Sequence, residues 1–233
     1  MNKHLIMALV CAAALLVSAT AGAESLKFTL GGSDSAVTDT GYDYLDDDNF
    51  LTMGQLGADF TFVPGFWVGV EYDWGVRRDN TFGRLDTTLD IDGLLVNARY
   101  EYDVASFFSP YVQAGGGFYH LQLGANFGDE RREDEAFAGV FHGLVGVEFH
   151  VPKKIVRRIF GISKRSTMGD FTFGFMLEGG YRVVTESSFN DLIRPEPDKK
   201  PEPEDRPLET EPVRFGDLDL SGVVMRSALV VRF

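Results

Sequence analysis

Counting back by twos from Phe233 divides the last segment of this chain into two unlike faces. Val231, Leu229, Ser227, Met225 and Val223 fall on one, and Arg232, Val230, Ala228, Arg226 and Val224 on the other. Successive side chains of a strand point to opposite sides, so one side is apolar and the other carries two arginines. Such alternation suits a strand whose outer face meets hydrocarbon and whose inner face meets a polar lumen. The expected fold is therefore an all-β, eight-stranded, antiparallel up-and-down transmembrane β-barrel.

The same division recurs upstream. Phe66, Val68, Val70, Tyr72, Trp74 and Val76 share one parity, against Gly69, Glu71 and Asp73 on the other. Between Phe171 and Val183, aromatic and aliphatic residues hold the odd positions while Glu178 and Arg182 hold even ones. Slipping that strand by one residue would turn Arg182 into lipid, at roughly 2 to 4 kcal/mol near the midplane, so register is strongly specified.

Eight strands are expected, over Leu26 to Gly31, Gly54 to Val63, Phe66 to Val76, Leu89 to Tyr102, Pro110 to Leu123, Ala136 to His150, Asp170 to Val184 and Leu220 to Phe233. In the fourth, apolar parity changes near Gly93: Leu89 and Ile91 are odd, Leu94, Val96 and Ala98 even. A bulge at Gly93 would reconcile them. No stretch after the first 23 residues is apolar for 18 residues, which excludes ordinary membrane helices. Near-zero mean hydropathy is what a barrel gives, because hydropathy windows average its two faces.

Residues 1–23 read as a cleaved export signal: Lys3, an apolar run from Leu5 to Ala19, then Ala21-Gly22-Ala23 before Glu24. Residues 24–233 then form the barrel domain. The only cysteine, Cys11, lies within the signal, so neither disulfide nor thiolate chemistry is expected afterwards. A net charge of −13 argues against nucleic acid as a partner, since phosphate binding needs clustered Lys and Arg.

Connection lengths assign sides. Val63-Pro64-Gly65 and Asp103 to Ser109 are short, as on a periplasmic rim, whereas Gly32 to Met53, Arg77 to Thr88, Gly124 to Glu135 and Thr185 to Asp219 are long outer connections. Acidic runs there, Asp46 to Asp48 and Asp129 to Glu135, lack EF-hand spacing and read as solvated loop tips, with no metal site. The Pro- and acid-rich stretch near 186–216 is expected to be a long disordered outer loop. Pro152 to Met168 breaks the rule, being long, basic and periplasmic by count. It is either a short amphipathic helix on the inner leaflet or a basic rim loop.

Pro110-Tyr111-Val112-Gln113-Ala114-Gly115-Gly116-Gly117-Phe118-Tyr119 resembles the glycine-alternating, aromatic-ended strand of the small outer-membrane barrels related to outer-membrane protein A and its adhesion and invasion relatives. Phe233 resembles the terminal aromatic by which that superfamily's C-terminal strand is recognised by the barrel assembly machinery. The resemblance implies a place in the outer membrane of a Gram-negative envelope, among its lipids and lipopolysaccharide, and specifies a fold more than a function.

Inward parity delivers Glu71, Asp73, Arg99, Glu101, His142, Glu148, Glu178, Arg182 and Arg226 to the lumen, with Lys27, Asp59, Asn97, Gln113 and Tyr119 beside them. Eight strands enclose an interior that side chains fill, so these groups are expected to pair as a charged network. Gly115, Gly117 and Gly180 would make room for them. A structural or surface-interaction role follows, with outer loops as the surface for host or phage contact. A small channel for ions or solutes is the alternative. A lipid-modifying enzyme is less favoured, because His120, His142 and His150 stand near no serine motif of that chemistry. No catalytic residue or cofactor is expected.

Overall fold

The computed structural model describes residues 25–37, 50–81, 85–127, 130–152, 155, 156, 158, 171–189 and 216–233. The strands are β1 Ser25–Val37, β2 Phe50–Val63, β3 Phe66–Thr81, β4 Leu85–Glu101, β5 Phe108–Phe127, β6 Glu130–His150, β7 Thr172–Val184, β8 Ser187–Phe189, β9 Gly216–Leu218 and β10 Gly222–Arg232. Eight of them close into one antiparallel barrel in the order β1-β10-β7-β6-β5-β4-β3-β2, and β8 pairs with β9 as a separate small sheet. Up-and-down closure leaves the wall without a free edge where all eight strands are present, which the apolar phase demands.

Following cross-strand partners once around the wall leads from Lys27 through Asp59, Gly69, Asn97, Gly115, His142, Arg182 and Gly222 to Val37, ten residues further along β1. A stagger of that size over eight strands tilts them by roughly 40°, within the range closed barrels adopt. The end where β1 begins and β10 finishes is called the near end. Its β2–β3 turn is tight: Gly65 has φ 81°, a conformation glycine adopts without strain, and the Thr61 hydroxyl bonds both flanking carbonyls, Val63 O and Phe66 O, at 2.7 Å. The register slips once there, between Thr61 and Val63.

Three expectations change. First, two of the long outer connections, Arg77 to Thr88 and Gly124 to Glu135, are in large part strand. β3 and β4 run on to Thr81 and Leu85, β5 and β6 to Phe127 and Glu130, so Glu130 to Glu135 belong to a strand and are not a loop tip. Second, no bulge interrupts Gly93: β4 pairs without a break with both β3 and β5 through it. Leu89, Ile91 and Leu95 all face inward, with Asn97 and Arg99 below them. What changes near Gly93 is the outer face. Below it Leu94, Val96, Ala98 and Tyr100 face out; above it Asp92, Asp90 and Thr88 do. Third, a Cβ on Gly117 or Gly180 would strike mainly neighbouring backbone, at Leu94 and Gly143, whereas Gly115 makes room for Asn97 and His142 side chains.

Other strands reverse at the same level. Outward residues pass from Leu30 to Asp34 on β1, from Leu56 to Thr52 on β2, and from Phe118 to His120 and Gln122 on β5. Above the reversal the lumen is apolar, a buried cluster that includes Met53, Leu89, Ile91, Leu121, Val140 and Val184 together with Phe189, Leu218 and Leu220 from the β8–β9 region. The barrel thus continues beyond the lipid band as a wall with its polar face out and its apolar face in.

The export signal, Asp46 to Asp48, Asp129 and most of the stretch near 186–216 lie outside the described residues; β8 and β9 form the roots of that last stretch. Of Pro152 to Met168, Ile155, Val156 and Arg158 have helical backbone, with the Ile155 and Val156 amides on Pro152 O at 2.8 and 3.3 Å. The remainder of the helix expectation falls outside the described residues.

Candidate functional site: the charged lumen

Each of the nine lumen residues picked out by parity is buried inside the wall. They form tiers. At the near end, Lys27 Nζ donates to Glu101 Oε2 and Glu148 Oε2, both at 2.8 Å. Arg232 Nη2 donates to the other oxygens, Glu101 Oε1 at 2.6 Å and Glu148 Oε1 at 3.2 Å. Both cations lie over the Trp67 ring, 4.3 and 4.9 Å from its centre. Two carboxylates between two cations and an aromatic face satisfy charges that burial would otherwise make costly.

Arg99 heads the second tier. Its Nε and Nη2 donate to Gln113 Oε1 at 2.9 and 2.7 Å, Nη2 also reaches Glu178 Oε1 at 3.3 Å, and the guanidinium stacks 4.2 Å from the Tyr111 ring centre. Tyr111 OH donates to the same Glu178 oxygen at 2.8 Å. Arg99 Nη1 lies 3.7 Å from Glu148 Oε2, which joins this tier to the first. Asp59 is buried in the field of Arg99 and Lys27.

Glu178 Oε2 pairs with Arg226 Nε at 3.2 Å and so opens the third tier. Arg226 also pairs with Glu71 and donates from Nε to Gln55 Oε1 at 2.7 Å, while Asn97 Nδ2 donates to Glu71 Oε2 at 3.2 Å. In the fourth tier Tyr119 OH donates to Asp73 Oδ2 at 2.9 Å, and Arg182 Nη2 lies 3.5 Å from the same oxygen. Here Gly93 has its use, because a Cβ there would meet the Tyr119 ring. His142 stands level with Arg182 across the β6–β7 pair and meets Gln113 through Nε2 at 3.5 Å.

Five buried or half-buried cations, Lys27, Arg99, Arg182, Arg226 and Arg232, therefore face six buried carboxylates, Asp59, Glu71, Asp73, Glu101, Glu148 and Glu178, among the described residues. Near balance of sign is what lets so many charges share a narrow interior. Trp67, Tyr111 and Gln55 are lumen residues outside the expected set, yet each has the parity of a residue within it: Trp67 with Glu71, Tyr111 with Gln113, Gln55 with Asp59. Parity was the signal available.

The near-end rim also collects Glu101, Asp103 and His150, whose ligand atoms lie within 4.8 Å of one another. A cation placed there would compete with Arg232, already 2.6 Å from Glu101 Oε1. Ser109 Oγ is 2.9 Å from His150 Nε2 and His150 Nδ1 is 3.3 Å from Glu148 Oε1, a nucleophile–base–acid order. However, Ser109 is fully buried and donates its proton to Asp103 Oδ1 at 2.6 Å. That chain of bonds ties the β4–β5 turn to the end of β6. His120 lies on the outer face against Glu135 at 3.3 Å, with its ring 4.9 Å from that of Phe137.

Among solved structures the chain is similar to Ail, the attachment invasion locus protein of Yersinia pestis, with 12% identity, 90% of this chain and 98% of that one covered, and a TM-score of 0.47. It is similar to Neisserial surface protein A at 10% identity, covering 89% of this chain and 94% of that one with a TM-score of 0.39. For the N-terminal β-barrel domain of Pseudomonas aeruginosa OprF the values are 12%, 91%, 98% and 0.39. No curated protein matches. The family model described as "Outer membrane protein beta-barrel domain" matches residues 7–159, and the chain belongs to that family of outer-membrane barrels.

Proposed function

We propose that this barrel is a scaffold with a filled lumen, whose role is structural or is carried by the surface it raises above the outer membrane. The observation that carries the reading is the linkage of the first three lumen tiers through Glu148 and Glu178, which occupies the bore that a solute would need. Outward residues just above the reversal of polarity, such as Asp34, Gln122 and Glu135, are polar, which suits contact with lipopolysaccharide. The outer connections would meet host or phage. At the near end Phe233 packs against Phe28 across the β10–β1 seam, with centroids at 6.2 Å, and against Phe171 on the β7 side, at 6.3 Å. A terminal ring so placed supports recognition of β10 by the assembly machinery before the seam closes.

Single-channel recording of the refolded chain, residues 24–233, in a planar lipid bilayer tests the filled lumen. Silence from protein whose gel mobility changes on boiling supports the scaffold. Steady, reproducible current would establish instead the rival reading, a narrow path for ions or small solutes along Glu71, Arg99 and Arg226.

A further inference from the structure

The upper lumen tiers and the β8–β9 hairpin carry a second reading, beyond the scaffold role. Beneath the apolar cluster, inward atoms of the third and fourth tiers are buried without a protein partner: Gln55 Nε2, Arg226 Nη1 and Arg182 Nε as donors, and Asn97 Oδ1 as acceptor. Buried polar groups are as a rule satisfied, and those left by the protein are met by ordered water. Donors and an acceptor are present together, which suits a ligand that both gives and takes hydrogen bonds and disfavours a bare ion of either sign.

Above them sits the β8–β9 hairpin. Phe189 is 0% exposed and Leu218 4%, and both belong to the cluster formed by the inner faces of β1, β2, β4, β5, β6 and β7. Two short ties hold the legs. Thr185 N donates to Gly139 O at 2.8 Å while Gly139 N donates to Thr185 Oγ1 at 2.8 Å. Ser221 Oγ accepts from Val184 N at 2.8 Å, and Ser221 N donates to Asp219 Oδ1 at 2.8 Å. The outer side of the hairpin is polar, with Ser188 donating to Asp217. It therefore has the amphipathic form of a cap, apolar inward and polar outward.

We propose that the β8–β9 hairpin is a stopper over a water-binding chamber in the upper lumen, and that displacing Phe189 and Leu218 opens that chamber to small polar solutes from the far end. Apolar contact at the top supplies the seal, because a polar solute must shed its water to pass Leu121, Ile91 and Val140. The chamber floor is the Arg226–Glu71–Glu178 tier.

Ser33 supplies the probe. Its side chain is buried, faces inward and has its hydroxyl among the unpartnered atoms, and the sequence contains no cysteine after Cys11. Ser33→Cys in the refolded chain, residues 24–233, would be labelled with a small charged methanethiosulfonate reagent, alone and combined with Phe189→Asp or the milder Leu218→Ala. A rise in labelling rate of about tenfold or more on loosening the hairpin, with the boiling-dependent gel shift retained, is the expected result. Fast labelling of Ser33→Cys alone, or no change in either double variant, overturns the stopper. The chamber has its own measurement, independent of hairpin variants: a high-resolution crystal structure of the unaltered chain. Water within hydrogen-bond distance of Gln55 Nε2 and Asn97 Oδ1 is expected; a dry contact there overturns it.

Discussion

Below the level of Gly93 this barrel is an inside-out protein, with its charges buried and its apolar side chains on the surface; above that level it is the right way round. One continuous set of strands does both, without a bulge at the join. The lower half needs its ion pairs because lipid outside leaves polar groups nowhere else to go. The upper half is held by apolar burial, because water stands outside it. The difference teaches that strand alternation fixes which residues point inward, while the medium outside decides which chemistry must be there.

Removing one charge from the lower half should have the largest effect. Arg226→Ala leaves Glu71 and Glu178 without their shared cation and is expected to cost about 3 to 5 kcal/mol, read as a lowered denaturant midpoint for loss of the folded gel band. A loss below about 1 kcal/mol would show that pairing does not hold that half. In the upper half, Leu121→Ala removes a fully buried side chain and should cost about 2 to 4 kcal/mol in the same assay.

The join itself can be located with charges on the outer face of β4. Val96→Arg is expected to cost about 2 to 4 kcal/mol, as for arginine in mid-bilayer, and Thr88→Arg under about 0.5 kcal/mol, as at an ordinary wet surface. Equal costs at both positions, compared in vesicles, would mean that lipid reaches higher than the reversal of polarity implies. A smaller effect should come from Gly93→Ala: the added methyl displaces the Tyr119 ring and overpacks the upper tier by about 1 to 3 kcal/mol. Ser227→Ala, on the lipid face beside Arg226, should change the midpoint by less than about 0.5 kcal/mol.

Much of the lower half was legible because period-2 parity survives without any knowledge of neighbours. Glu71, Asp73 and Trp67 share a parity, as do Glu178, Arg182 and Met176, and the structure buries them all. The upper half was misread for a physical reason. Leu89 and Ile91 have the parity of Asn97 and Arg99, but apolar residues were assumed to face lipid throughout, so a true continuity looked like a phase shift. Likewise the acidic residues Glu133 and Glu135 suggested a loop, although an exposed strand face above the bilayer tolerates charge as well as a loop does. Which carboxylate pairs with which cation was beyond reach, since Lys27 meets Glu148 only through a closed ring of eight strands.

The paired root at Phe189 and Gly216 has a consequence for how this sequence can vary. Because β8 and β9 already hold the two ends of the intervening 26 positions together, lengthening that segment adds only a logarithmic closure entropy, about 0.6 kcal/mol for each doubling. Insertions, deletions and wholesale changes of composition between residues 190 and 215 can therefore accumulate while the wall beneath them stays the same.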